Sequence, residues 1–333
     1  MTNSFQALVV RENTDPSGAP LTAIETLTDA DLPAGDVVVD IDYSSLNYKD
    51  GMALTGAGRI IRNFPMVPGI DFSGTVASST SPDFGVGDPV ILTGWGVGER
   101  FWGGYAERQR VRSEWLVQRP AEMSSLRAMA IGTAGLTAML CVLALQDGGV
   151  TPTSGPIIVT GAAGGVGSVA IAILANLGYA VTAVTGRPEE HDYLRSLGAS
   201  DVIDRSALAA PGKPLQAETW AGAVDAVGST MLANVLAQTK YQGVVTACGL
   251  AGGTDLPSTV MPFILRGVRL QGIDSVMADL ATRNRSWSRL ATDLPESALD
   301  TLTEVVPMSS LAGRAATILA GQTRGRLVVD PHS

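Results

Sequence analysis

The chain has 333 residues, 45% of them hydrophobic and 17% charged, an ordinary globular composition with length for about two domains. A formal net charge of -9, without a long lysine or arginine run, offers no basic face to a phosphate backbone, so nucleic acid is not an expected partner. Two cysteines (Cys141, Cys248) and two histidines (His191, His332) can build neither a disulfide framework nor a four-thiolate zinc site, and they leave no parts for Ser–His–acid or Cys–His catalysis.

Taken in chain order, residues 1–13 show no basic region followed by an apolar stretch, so no export signal is expected. Phe5–Val10, Val37–Ser44, Phe72–Ala77 and Pro89–Thr93 are apolar or alternating and are separated by Gly35, Gly69, Gly85 and Gly87, the pattern of a small β-rich domain. From Ser124 the pattern turns to longer apolar segments. The longest run, Ile131–Leu145, is shorter than the roughly 18 residues a membrane span needs and is interrupted by Thr133 and Thr137. A soluble, cytoplasmic protein is expected.

From Ile157 onward strand and helix signals alternate. The candidate strands are Ile157–Thr160, Val181–Thr185, Asp201–Ile203, Ala223–Val227, Gly243–Cys248 and Arg269–Ile273, with helices over Val166–Leu177 and Glu189–Leu197. Six strands suit a doubly wound parallel Rossmann sheet, so the fold class is α/β. Ala209–Pro214 reads as an exposed loop. The strand-like Arg326–Asp330 returns to the β-rich domain, which predicts residues 1–124 and 296–333 for that domain and 125–295 for the Rossmann domain.

Pro156–Gly167 (PIIVTGAAGGVG) puts a buried strand, a glycine-rich turn and an apolar helix in immediate succession. Gly161 and Gly164 permit a tight turn and close backbone approach, Gly167 permits close helix–strand packing, and the helix N-terminus offers free N–H groups to a pyrophosphate. Ala162 stands where the commonest fingerprint has its first glycine. The second strand ends in Val184–Arg187 (VTGR), where an NAD site usually carries an acidic residue for the ribose 2′-hydroxyl. A hydroxyl, a backbone N–H and a guanidinium at Thr185, Gly186 and Arg187 suit a 2′-phosphate instead, so NADPH is the expected cofactor. Arg205, after the third strand, is a weaker second contact. Glu189 and Glu190 read as favouring the positive end of the next helix.

A β-rich domain followed by this turn resembles the zinc-free quinone oxidoreductase branch of the medium-chain dehydrogenases/reductases. Within that branch Ser44–Asp50 (SSLNYKD), Ile60–Asp71 (IIRNFPMVPGID), Leu92–Gly98 (LTGWGVG), Gly132–Ala138 (GTAGLTA) and Leu270–Val276 (LQGIDSV) resemble the acryloyl-CoA reductases. The resemblance covers nearly the whole chain. It implies a GroES-like β-rich catalytic domain, and a metal-free site, because Pro68–Asp71 stands where zinc members carry Gly-His-Glu. It also implies cofactor contacts at Tyr48, Ala163, Gly164, Gly165, Val166, Thr185, Gly186, Arg187, Arg205, Leu250, Ile264 and Ser275. Without the resemblance, Leu250, Ile264 and Ser275 read equally well as strand-end or core residues.

The activity it implies is reduction of acryloyl-CoA to propionyl-CoA. Hydride from NADPH goes to the β-carbon of the thioester, the α-carbon takes a proton, and the oxygen that collects charge needs hydrogen-bond donors. Tyr48, and after it Asn47, both placed at a strand end, are the expected donors, with Tyr48 read equally well as an aromatic that packs on the cofactor. Arg59, Arg62, Arg283, Arg285, Arg324 and Arg326 are candidates for the phosphates of coenzyme A. An NADPH:quinone or enone reductase uses the same cofactor residues, and a non-catalytic NADPH sensor is the reading from another class. A homodimer is the general expectation for a soluble enzyme.

Overall fold

A computed structural model describes residues 4–15 and 18–333. Among these the strands are, in chain order, β1 (Ser4–Arg11), β2 (Leu21–Thr28), β3 (Val37–Leu46), β4 (Asp71–Ser79), β5 (Pro89–Thr93), β6 (Arg108–Val111), β7 (Leu116–Gln118), β8 (Ile157–Val159), β9 (Val181–Thr185), β10 (Asp201–Asp204), β11 (Trp220–Asp225), β12 (Thr239–Ala247), β13 (Arg269–Gly272), β14 (Thr303–Pro307) and β15 (Arg326–Asp330). The helices used below are α1 (Tyr48–Thr55), α2 (Ser125–Asp147), α3 (Gly165–Asn176), α4 (His191–Ser196), α5 (Ser229–Gln238), α6 (Met261–Arg266) and α7 (Leu280–Asp293). The chain forms two units. The first comprises Met1–Thr133, Ser275–Ala291 and Leu302–Ser333, and the second Ala134–Asp274 and Thr292–Thr301.

The first unit is built on a seven-stranded sheet in the order β14-β15-β3-β4-β5-β7, with β6 also pairing with β3, beside a separate β1-β2 ribbon. Strand β3 forks: its first half pairs with β6 and its end with β15, both antiparallel. Inward-facing Val37, Val39 and Ile41 pack with Phe72, Val90 and Leu92 in one core, while Leu46 joins Val329, Met66 and Tyr105 in another. The expected return of Arg326–Asp330 to this domain is found.

The second unit holds six strands in the order β10-β9-β8-β11-β12-β13, every neighbouring pair parallel. Strand order reverses between β8 and β11, the switch point beside which doubly wound sheets place their ligands. Strands β8, β9 and β11 are buried along their whole length, as a sheet covered on both faces requires. All six expected strands are present; β9 matches at both ends and the others differ by at most four residues at an end. Ala209–Pro214 is an exposed loop as expected.

Three features depart from the sequence expectation. Tyr48 starts a helix rather than ending a strand, because the Asp50 carboxylate accepts from the backbone N–H of Asn47 at 2.9 Å, one arm of a capping box. The apolar run continues into the 23-residue α2, long and apolar enough to cross a membrane by length and composition, yet 94% of its most apolar window is buried. Finally, Ser275–Ala291 groups with the β-rich unit, not with the expected 125–295 segment. Arg283 explains this: it is fully buried and donates to Thr93 O at 2.8 Å, Thr93 Oγ1 at 2.7 Å, Val276 O at 2.8 Å and Ala278 O at 2.8 Å. Its guanidinium also lies 4.8 Å from the Trp95 ring centre. A side chain so engaged is structural, which removes Arg283 from the candidates for coenzyme A.

Candidate functional site: a phosphate-binding turn and a buried charge cluster

In the second unit the turn after β8 is shaped by glycines. Gly161 has φ +60°, and a Cβ on Gly167 would stand 2.5 Å from Gly161 O and 2.7 Å from the Ala162 Cα, so α3 lies directly on the turn only because no side chain intervenes. Ala162 is buried and its N–H donates to Val184 O at 3.3 Å, tying the turn to β9. Ala163 is buried, while Gly164, Gly165 and Val166 are half-buried at the start of α3, whose first-turn N–H groups have no carbonyl one turn earlier to accept them. Those donors and the positive end of the helix suit a pyrophosphate.

The end of β9 lies in the same unit. The Thr185 hydroxyl accepts from the Arg187 N–H at 3.2 Å. A Cβ on Gly186 would meet the Arg205 Nε at 2.3 Å, which places the Arg205 side chain flat over Gly186. The structure therefore brings Thr185, Gly186, Arg187 and Arg205 together, although Arg205 is 18 residues beyond Arg187. Glu190 stands at the start of α4 as expected, but it is 4% exposed and its carboxylate lies 3.4 Å from the Arg187 guanidinium. A glycine cradle plus two guanidinium groups fits a dinucleotide carrying a 2′-phosphate. Leu250 and Ile264 are 57% and 71% exposed, which sets aside the core alternative for both. Ser275 is placed in the first unit, where its carbonyl accepts from Arg283 at 3.1 Å.

The other expected residues stand in the first unit around a cluster of buried polar groups. Asp71 accepts from Ser45 N at 3.1 Å, Ser45 Oγ at 2.7 Å, Asn47 Nδ2 at 3.1 Å and Thr133 N at 2.8 Å. Asp50 accepts from Asn47 N, from Asn47 Nδ2 at 3.2 Å and from Ile70 N at 3.0 Å. Arg326, 2% exposed, donates to Ser45 Oγ at 2.8 Å, Asn47 Oδ1 at 3.3 Å and Ala130 O at 3.0 Å. Two carboxylates and one guanidinium are therefore buried together out of reach of water, joined through Ser45 and Asn47, with no direct ion pair between them among the described residues. Burial, and then the neighbouring Asp71, push Asp50 up from its ordinary 3.8 to about 7. Burial and the two carboxylates likewise raise the Tyr105 phenol, and burial lowers Arg326.

This cluster changes two expectations. Asn47 is buried with its amide N–H groups and its carbonyl all engaged inside the unit, so it is committed to holding the start of α1 rather than free to meet a substrate. Arg326 is internal and cannot reach a coenzyme A phosphate. Tyr48, by contrast, is 43% exposed at the first position of α1, and among the described residues its phenol has no hydrogen-bond partner. The neighbouring Lys49 is tied to Glu99 at 2.8 Å. Arg59 and Arg62 are exposed on the segment that follows α1. Nothing in the sequence marked Asp71, Tyr105 and Arg326 as one cluster, since they come from a strand, a loop and the last strand of the chain.

Residues 33–121 match the model of the alcohol dehydrogenase GroES-like domain, and residues 165–292 match that of the zinc-binding dehydrogenases. Together with the glycine cradle, these matches define a two-domain dinucleotide-dependent oxidoreductase. The acrylyl-CoA reductase AcuI of Ruegeria pomeroyi is 54% identical over 330 residues, 99% of this chain and 100% of that protein. Two solved structures are likewise 54% identical with a TM-score of 0.95 and cover 98% of this chain: the YhdH oxidoreductase of Salmonella enterica in complex with NADP, matched over 99% of its length, and YhdH of Escherichia coli K-12 with bound NADPH, over 100%. The chain belongs to the medium-chain dehydrogenase/reductase family, in the group of the acrylyl-CoA reductases. The zinc in the name of one matching model has no fitting donor set here. The Asp71 carboxylate is filled by internal donors, and among the described residues no cluster of three His, Cys, Asp or Glu side chains is placed to hold a metal.

Proposed function

We propose that the protein is an NADPH-dependent acrylyl-CoA reductase that converts acryloyl-CoA to propionyl-CoA. The observation that carries this is the full-length identity of 54% to the Ruegeria pomeroyi reductase, joined to a glycine cradle flanked by Arg187 and Arg205. NADPH, when bound, supplies a hydride for the β-carbon of the unsaturated thioester. The N–H groups of Ala163, Gly165 and Val166 hold the pyrophosphate, with Gly164, whose N–H closes the turn onto Gly161 O at 3.0 Å, letting it approach the backbone, and Thr185, Gly186, Arg187 and Arg205 hold the 2′-phosphate. Leu250 and Ile264 offer apolar surface to the nicotinamide side of the cofactor, with Ser275 as a further contact.

The Tyr48 phenol donates to the thioester oxygen as charge collects there, worth about 1.5–3 kcal/mol for a hydrogen bond to a charged group. Asn47 serves by fixing the helix start that presents Tyr48. Water supplies the α-proton, and Tyr48 acts as a hydrogen-bond donor. Arg59 and Arg62 pair with coenzyme A phosphates. We place the enzyme in the cytoplasm as a homodimer. Tyr241, Val260 and Leu265 are exposed apolar side chains of the second unit, and the dimer is the commonest symmetric assembly of soluble chains. Light scattering on the eluting protein tests the dimer.

The deciding experiment follows NADPH absorbance on adding acryloyl-CoA, with NADH, crotonyl-CoA and a simple quinone in parallel. Fast oxidation with NADPH and acryloyl-CoA is the expected result. Preference for the quinone would move the function to a quinone reductase, and binding without turnover would leave a sensor.

A further inference from the structure

A guanidinium on a long flexible stem recognises a phosphate well only when its fork is already held in the right place. The segment after Arg187 supplies a holder. The Glu190 N–H donates to Arg187 O at 3.0 Å, closing a turn that swings its carboxylate back onto the Arg187 side chain. That carboxylate is itself fixed. Helix α4 follows directly, its Leu194 is fully buried, and its Tyr193 hydroxyl donates to Ser168 Oγ at 3.0 Å. Ser168 lies on α3 and donates to Ala162 O at 3.2 Å, so the helix that follows the Arg187 turn is anchored to the pyrophosphate turn through two side chains, Tyr193 and Ser168.

A carboxylate beside an anion site carries a cost in repulsion. It is offset because Arg205, whose side chain lies against Gly186, brings a second guanidinium to the site that forms no ion pair within 4 Å among the described residues. What Glu190 adds is order: it restricts the rotamers of Arg187 before the cofactor arrives, a cost the cofactor would otherwise meet on binding.

We propose that Glu190 is a positioning residue that sets the preference for NADPH over NADH by holding Arg187 toward the 2′-phosphate. The proposal rests on the assignment of Arg187 to that phosphate. NADH has no group for this guanidinium to grip, so Glu190 has no bearing on NADH binding.

The test is fluorescence titration of the full-length protein with NADPH, NADH and adenosine 2′,5′-bisphosphate, using Arg187→Ala, Glu190→Ala, Glu190→Gln and the double alanine variant. Arg187→Ala is expected to weaken NADPH about 10- to 100-fold, the loss of charged hydrogen bonds, and to leave NADH unchanged. Glu190→Ala is expected to weaken NADPH and the bisphosphate about 3- to 10-fold, the cost of ordering one long side chain, again with NADH unchanged. Glu190→Gln retains most of the affinity because its carbonyl oxygen still accepts, and Glu190→Ala adds nothing once Arg187 is gone. If Glu190→Ala does not fold, Glu190→Asp, which withdraws the carboxylate by one methylene, carries the same expectation. Equal losses for NADPH and NADH in Arg187→Ala, or none, would show Arg187 to be misassigned, and the Glu190 proposal falls with it. A discriminating Arg187→Ala combined with a Glu190→Ala that spares or tightens NADPH, or weakens both dinucleotides alike, would uphold Arg187 and overturn Glu190.

Discussion

Replacing Gly132 by alanine strikes the buried charge cluster directly. Gly132 bends α2 with φ +52° and ψ -159°, a conformation nearly confined to glycine that costs other residues about 1–3 kcal/mol. A Cβ there would stand 2.5 Å from Arg326 Nη2, 2.7 Å from Ser45 Oγ and 3.0 Å from Asp71 Oδ2. None of these can yield cheaply. Overpacking adds about 1–3 kcal/mol. Moving Arg326 aside would instead break its buried hydrogen bonds to Ser45 Oγ and Asn47 Oδ1, at about 1.5–3 kcal/mol for a bond from a charged donor. The total expected is about 2–6 kcal/mol out of the roughly 5–15 kcal/mol that holds a domain folded. Urea unfolding followed by tryptophan fluorescence reads it, because Trp95, Trp102, Trp115 and Trp287 belong to the first unit and only Trp220 to the second. Gly149→Ala is the control: its φ is +86° but nothing lies within 4 Å of the added Cβ, so it carries strain without the clash. If Gly132→Ala costs no more than Gly149→Ala, the account of the cluster as a rigid, close-packed lock is wrong.

Asp50 gives a pH signature. Its folded value of about 7 lies above its ordinary 3.8, so between these values the folded state keeps a proton that the unfolded chain has released. Stability therefore falls as pH rises from about 4 to about 7, and Asp50→Asn, which cannot release that proton, gains on the wild type across this window. Parallel stability–pH curves for the two proteins would contradict the assignment. Gly167→Ala pushes α3 off the turn and is expected to weaken NADPH and NADH together by at least about tenfold, measured by fluorescence titration. Tyr48→Phe is expected to lower kcat by about 10- to 100-fold while NADPH affinity stays unchanged, and an unaltered kcat would confine Tyr48 to packing.

The second unit was the more legible in the sequence because its signals are local. Strand, turn and helix at Ile157–Asn176 follow one another, and each glycine has its reason within a dozen residues. The end of β9 was equally readable, since a missing acidic residue is visible at a fixed distance from the turn. What escaped depends on long-range closure. Arg283 and Arg326 looked like any other arginine, and only the folded chain shows one sealed against Thr93 and the other between Ser45 and Ala130. Glu190 stands at the start of α4 as its charge pattern suggested, but its burial against Arg187 depends on the folded turn and was not readable in the sequence. Asn47 shows the limit of residue chemistry as a guide, because an amide suited to a substrate is equally suited to two buried carboxylates.

The burial of Asp50 and Asp71 in one hydrogen-bonded cluster with Arg326 has a consequence for synthesis. The two carboxylates emerge from the ribosome early, whereas Arg326 lies seven residues before the last residue of this chain. Until β15 is made, the first unit has a finished sheet centre in β3, β4 and β5 but lacks the guanidinium that bonds Ser45 Oγ and Asn47 Oδ1 over its buried acids, and leaving those acceptors unmet is costly. The part of the chain made first is therefore the last to close, and truncation at the C-terminus would be felt at residue 50 before it was felt at the cofactor turn.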